Sequence, residues 1–116
     1  MDTFTRAYIE AALWVSNDET TPAGGEPLGD NYSVEDIDPQ TLLKMLADCQ
    51  KFQSDHWNKI ANNLPLAGHD FWLTRNGHGS GFWDGDWPES GDILTTACEQ
   101  YGECFLYLGD DKKIYI

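Results

Sequence analysis

Basic side chains are scarce in this chain. Seven Lys and Arg residues stand against twenty Asp and Glu, which gives a formal net charge of −13 over 116 residues. Residues 1–40 carry a net charge of −8 and residues 69–116 carry −6, whereas residues 41–68 carry +1. Because affinity for DNA or RNA comes mainly from cationic groups that release counterions, direct nucleic-acid binding is disfavoured. The same excess of carboxylates favours a basic protein as partner.

Cysteines and long apolar runs are also few. The three cysteines, Cys49, Cys98 and Cys104, are odd in number and lack a Cys-x-x-Cys spacing, so neither a disulfide framework nor a zinc finger follows. We expect them to be reduced, buried thiols. The sequence has neither an apolar run of about eighteen residues nor a basic-plus-apolar leader, so we predict a cytoplasmic protein without a membrane segment.

Apolar residues are sufficient for one core, since they form 41% of the chain and include fifteen aromatic residues.

Helical periodicity over residues 4–15 predicts a short amphipathic helix. Asp38 followed by Pro39 fits an N-cap and a first helical position, and predicts a long helix that ends near Asn62 or Asn63. Residues 16–32, rich in acids, Pro and Gly, predict an exposed acidic loop. Residues 33–36 resemble a capping box.

The remaining segments predict two β-hairpins with a helix between them. Residues 70–75 are aromatic enough for a strand, and Asn76-Gly77 is a strong signal for a two-residue hairpin turn. A helix over residues 93–101 ends at Gly102, and a terminal hairpin turns through residues 109–111. The predicted fold is α+β: a single domain over residues 1–116, with an antiparallel sheet of about four strands packed against helices in the order α-α-β-β-α-β-β.

Candidate metal ligands lie in the predicted hairpin of residues 69–86. Its register would bring His69 near Asp84, and His78 could join them only if the strand bends. An EF-hand is excluded because Pro88 and Glu89 stand where a ligand and a glycine are required. A dinucleotide fingerprint and a nucleophile elbow are excluded because Phe82 stands where each requires glycine. We assign no catalytic residue and no cofactor.

The tryptophans of this chain are expected either to pack in the core or to contact a partner. Trp72 and Trp83 are expected in the core of the hairpin, and Trp14 and Trp57 are expected to pack between helices. Trp87, beside a proline in a loop, is the candidate for an exposed contact with a partner.

The stretch HDFWLTRNGHGSGFWD, residues 69–84, resembles a group of small hypothetical proteins encoded by tailed bacteriophages. The similarity also takes in residues 31–52 and 102–115. It implies a phage origin and an accessory role inside the host cell, but it transfers no activity and no residue role. Gly85 stands where those proteins carry an Arg, which removes any polar role at that position.

Origin and charge together favour a protein that occupies the nucleic-acid-binding surface of a basic host protein as a DNA mimic. The acidic contributors are expected to be Asp18, Glu19, Glu26, Asp30, Glu35, Asp36 and Asp38. Two alternatives stay open: a ligand- or metal-dependent activity centred on residues 69–86, and an interaction module whose aromatic residues bind a partner while the charge is incidental.

Overall fold

The computed structural model describes residues 1–22, 24–78 and 80–116, and within them it contains four α-helices and two short β-ribbons. The elements are, in chain order, α1 (Thr3–Val15), β1 (Asn17–Asp18), β2 (Glu26–Pro27), α2 (Pro39–Ile60), α3 (Leu64–Arg75), α4 (Gly91–Glu99), β3 (Tyr107–Leu108) and β4 (Ile114–Tyr115). Single 3₁₀ turns follow β2 and precede α2, at Leu28–Asp30 and Val34–Asp36. Antiparallel pairing joins β1 to β2 and β3 to β4.

The predicted four-stranded sheet in the order α-α-β-β-α-β-β is therefore wrong. The described residues are mainly helical, and their strands form two separate ribbons of two-residue strands. The predicted strand over residues 70–75 belongs to α3, so the hairpin over residues 69–86 and its register do not form. The acidic loop over residues 16–32 also has more structure than expected, because it contains β1, β2 and a 3₁₀ turn.

Burial of α3 on nearly all sides explains why its sequence lacks a helical pattern. Its start is conventional, since the side chain of Asn63 accepts a hydrogen bond from the amide of Leu66 at 3.3 Å and Pro65 lies in the first turn. From residue 67 to residue 76, however, every side chain except that of His69 is buried. A helix without a polar face has no amphipathic period, so its short aromatic run resembles a strand.

Asn76 and Gly77 end α3 instead of turning a hairpin. The amide of Gly77 donates to the carbonyl of Thr74 at 3.1 Å, and the amide of His78 donates to the carbonyl of Leu73 at 3.0 Å. This pair of bonds is the Schellman motif, which places a left-handed glycine directly after the helix. Gly77 has φ +68° as both interpretations require, but Asn76 has φ −100°, which a type I′ hairpin turn does not allow.

Several helix ends lie close to where neighbouring capping residues in the sequence predict them. The carboxylate of Asp38 accepts from the amide of Thr41 at 3.1 Å and starts α2 with Pro39 at its first position. Ser33 and Asp36 form the expected capping box, although around a 3₁₀ turn. Gly102 adopts φ +70° after α4, and the terminal hairpin forms in a shortened version.

A close crossing of α1 and α3 forms the centre of the core. A Cβ atom at Gly68 would lie 2.0 Å from the carbonyl oxygen of Phe4, so only glycine permits this approach. Beside the crossing, the rings of Phe52 and Phe71 stack with centroids 4.2 Å apart. The buried apolar side chains of all four helices belong to one cluster, which also includes Ile114 of β4.

The acidic segment between α1 and α2 is attached at both ends. The amide of Leu28 donates to the carbonyl of Ser16 at 2.8 Å, and the side chain of Leu28 is fully buried. Nearer to α2, the amide of Asp38 donates to the carbonyl of Ile114 at 2.9 Å. The acids of residues 17–38 are consequently carried on a folded surface beside the terminal hairpin. Of the helices described, none combines the length and apolar character needed to cross a membrane.

Candidate functional site

His69 is the exposed residue within the otherwise buried stretch 67–75 of α3, and it pairs with a buried carboxylate. Its Nδ1 lies 3.2 Å from Oδ1 of Asp70, whose other oxygen accepts a hydrogen bond from Nε1 of Trp87 at 2.8 Å. Burial raises the pKa of Asp70, although both hydrogen bonds oppose that shift. A carboxylate that orients an imidazole is one part of a general-base arrangement. Within the described residues, however, no hydroxyl or thiol is hydrogen-bonded to His69.

The three predicted metal ligands are not brought together. No group of three His, Cys, Asp or Glu side chains suited to a metal ion occurs among residues 1–22, 24–78 and 80–116. His69 and Asp84 were expected to meet through strand register, and that register is lost because His69 lies on a helix. His78 follows the end of that helix, and Asp84 instead accepts a weak hydrogen bond from the amide of Gly81 at 3.4 Å.

The tryptophan predictions are largely reversed. Trp87 was expected to be exposed but is only 6% accessible, because its indole turns inward to Asp70. Trp14 and Trp57 were expected to pack between helices but are 56% and 49% accessible. Trp72 is buried as expected, whereas Trp83 is 43% accessible. The exposed tryptophans are therefore Trp14 and Trp57 on helices and Trp83 in the loop that also carries the buried Trp87.

The seven acids predicted to contact a partner divide into two groups. Asp18 is buried and accepts from the amide and hydroxyl of Thr20 at 2.8 and 2.6 Å, which lowers its pKa. Asp36 accepts from the amide of Ser33 at 2.9 Å, and Asp38 caps α2. These three carboxylates hold the local backbone. The other four are exposed to solvent: Glu19, Glu26, Asp30 and Glu35.

Most of the negative charge of the molecule is on its surface and is not neutralised. Fifteen of the twenty Asp and Glu residues are exposed. Within the described part of the chain, carboxylates form ion pairs with Lys or Arg only between Lys51 and Asp55 and between Arg75 and Asp48. The field outside the protein is therefore dominated by carboxylates that face water.

Sequence reasoning missed a buried cation at the end of α3. The guanidinium of Arg75 donates to the hydroxyl of Tyr8 at 2.9 Å, to Oδ2 of Asp48 at 2.9 Å, and to the carbonyls of Tyr101 and Gly102 at 2.8 and 2.9 Å. It thereby joins α1, α2 and the segment after α4 to α3. Since four of its five N–H donors are bonded to protein acceptors and its side chain is 1% accessible, Arg75 supports the fold and is not exposed to a ligand.

A second missed feature is a pair of grooves that meet at Trp14. One groove of about 500 Å³ lies between α1 and residues 29–34, and another of about 690 Å³ lies between α1 and the start of α3. Both are lined by Glu10 and Trp14, which are one helical turn apart on α1. In the sequence, the one signal for these grooves is the position of Trp14 near the end of an amphipathic helix. Packing between helices explains that position equally well.

Comparison with protein-family models, curated proteins and solved structures finds no match for this chain.

Proposed function

We propose that this chain is a small acidic binding protein that docks onto a positively charged surface of another protein and competes there with nucleic acid. The observation that carries the proposal is the exposure of fifteen carboxylates with little compensation by bases. The resemblance to phage proteins supports an accessory role in the host cytoplasm, with a basic host protein as partner.

The segment between α1 and α2 supports this function because it presents charge on an ordered backbone. Asp18, Asp36 and Asp38 satisfy backbone amides, so the exposed acids between them are held in a defined arrangement. An ordered set of charges binds with a smaller loss of conformational entropy than a mobile acidic tail. It also discriminates between partners, because like charges brought together are strongly unfavourable.

Displacement of DNA from a non-specific bacterial DNA-binding protein tests the proposal directly. A fluorescent duplex is bound to that protein, the acidic chain is added, and fluorescence anisotropy reports release of the duplex. We expect release at about 50 mM salt and much weaker release at about 300 mM, because exposed charges are screened within a few ångströms at higher ionic strength. Release that does not depend on salt would contradict the proposal.

A charge-reversed variant and a matched control locate the contact surface. The test variant replaces the four exposed acids of the segment between α1 and α2 by lysine: Glu19→Lys, Glu26→Lys, Asp30→Lys and Glu35→Lys. The control makes the same change at four exposed acids elsewhere: Asp86→Lys, Glu89→Lys, Glu99→Lys and Glu103→Lys. Both move the net charge from −13 to −5, since each reversal adds two positive charges. We expect the test variant to lose at least about tenfold in affinity and the control less than about threefold.

A further inference from the structure

Trp14 is an exposed indole that packs part of its ring on the backbone at Gly29. It is 56% accessible and lies on α1. One part of its ring lies against Gly29, because a Cβ atom built there would be 3.2 Å from Cδ2 and 3.3 Å from Cε2 of Trp14. A tryptophan packed in this way offers a large contact area to a partner, and its two side-chain torsions limit the conformational freedom lost on binding.

The groove between α1 and residues 29–34 has an apolar base beneath that indole. Ile9 and Leu13 are buried and line it, together with the partly buried Tyr32 and Val34. Its volume of about 500 Å³ exceeds what one side chain fills. Large side chains of a partner can enter it beside Trp14, an arrangement typical of contacts in which an apolar helix face lies in a groove.

Charge around this groove is negative and sets the chemistry of the occupant. Arg6 and Glu10 line it, and the exposed Asp30 and Glu35 flank the segment that forms its other wall. With the amino group of Met1, which also lines the groove, these groups carry a net charge of −1. Lys or Arg on a partner would find carboxylates there and, in Trp14, a ring face that attracts cations.

From this combination we propose that the Trp14 groove docks a basic amphipathic helix of the partner protein. The apolar face of that helix would occupy the groove beside Trp14, and its Lys and Arg residues would contact Glu10, Asp30 and Glu35. This inference rests on the proposed function and adds to it the docking face and the partner class. A partner that merely presents scattered positive charge would satisfy the proposed function but not this inference.

Two synthetic peptides of equal length and charge serve as probes. In the first, Leu recurs at positions i, i+3, i+4 and i+7 with Lys on the opposite side, so that a helix has one apolar and one basic face; in the second, Ser replaces every Leu. Binding to the full chain is followed by anisotropy of the labelled peptide at low and physiological salt. We expect the amphipathic peptide to bind at least about tenfold more tightly than the Ser peptide.

Two tryptophan variants provide the matched comparison. Trp14→Ala is expected to weaken binding of the amphipathic peptide by about tenfold, a typical loss for an aromatic contact residue. Trp57→Ala removes an indole of similar accessibility from α2 that lines neither groove at Trp14, and should change affinity less than twofold. Glu10→Lys is a second test that leaves the indole in place and should also weaken binding. Thermal unfolding of each variant checks that the fold is kept.

The outcomes separate the two proposals. If both peptides bind equally with strong salt dependence, and Trp14→Ala has no effect, the docking inference is overturned while the proposed function stands. Equal losses for Trp14→Ala and Trp57→Ala would also overturn the inference. If neither peptide binds and DNA displacement also fails, both proposals are wrong.

Discussion

Replacement of Arg75 is expected to be among the most destabilising single changes in this protein. Its side chain is 1% accessible and makes four hydrogen bonds, and its guanidinium lies 5.7 Å from the ring centroid of Phe71 and 5.6 Å from that of Tyr101. Arg75→Met keeps most of the apolar stem but removes every donor. The carbonyls of Tyr101 and Gly102 and the hydroxyl of Tyr8 then lose a partner.

The size of the effect follows from those orphaned groups. A buried polar group that loses its partner costs about 1–3 kcal/mol, and the carbonyls are only partly buried, so values near the lower limit apply. With the lost pairing to Asp48, whose side chain is 24% accessible, we expect Arg75→Met to lower the free energy of unfolding by about 4 kcal/mol. That is a large fraction of the 5–15 kcal/mol typical of a domain. Tyr8→Phe removes one hydroxyl and should cost about 1 kcal/mol.

Urea denaturation followed by far-ultraviolet circular dichroism measures both variants under one set of conditions. An unchanged dependence of the unfolding free energy on urea shows that the same two states are compared. Arg75→Lys keeps the charge without the planar fork of donors and should fall between wild type and Arg75→Met. The reasoning is refuted if Arg75→Met loses less than about 1 kcal/mol, or no more than Tyr8→Phe.

Three further predictions concern backbone approach, pH and thiol reactivity. Gly68→Ala should destabilise by more than about 2 kcal/mol in chemical denaturation, because its Cβ would meet the carbonyl of Phe4, whereas Gly77→Ala, with φ +68° and open space around it, should cost about 1 kcal/mol. Burial raises the pKa of Asp70 above its ordinary value of 3.8. The protonated side chain therefore contributes its full stability at a pH below 3.8, and this contribution is lost as the pH rises through the raised pKa. Asp70→Asn should therefore melt above wild type in calorimetry at neutral pH and not at about pH 3, and a constant difference would contradict this. Because burial raises the pKa of all three thiols, that of Cys98 to about 12, a thiol reagent at about pH 8 should label the native protein slowly and the unfolded protein at three sites; rapid native labelling would show that the thiols are accessible.

Features that depend on neighbouring residues could be predicted from the sequence. Asp38 with Pro39 specifies a helix start, and Gly102 specifies a left-handed helix end, because each acts within about one turn of backbone. The helix start is found as expected, and Gly102 is left-handed as expected, although α4 ends at Glu99, two residues before the predicted end. The amphipathic pattern of residues 4–15 also sufficed for α1, since one face of that helix packs against the core.

Features of the fold that depend on residues distant in the chain could not be predicted from the sequence. Residues 70–75 of α3 predict a strand because their surroundings bury them on nearly every side, and those surroundings come from α1, α2 and the segment after α4. The inward position of Trp87 depends on Asp70, seventeen residues earlier in the chain. Asn76-Gly77 was ambiguous for a different reason: a hairpin turn and a Schellman motif both require a left-handed glycine, and only the preceding segment decides between them.

The tight crossing at Gly68 also bears on how the chain folds during synthesis. α1 makes its closest contacts with α3, yet residues 16–63 separate the two helices and include all of α2. On the ribosome, α1 must therefore leave the exit region and lack its contacts with α3 until residues 64–75 follow. Contacts so distant in sequence slow folding relative to a bundle whose successive helices pair. For that interval the part of the α1 face that packs on α3 has no partner, although Phe4 can already stack on Phe52 of α2.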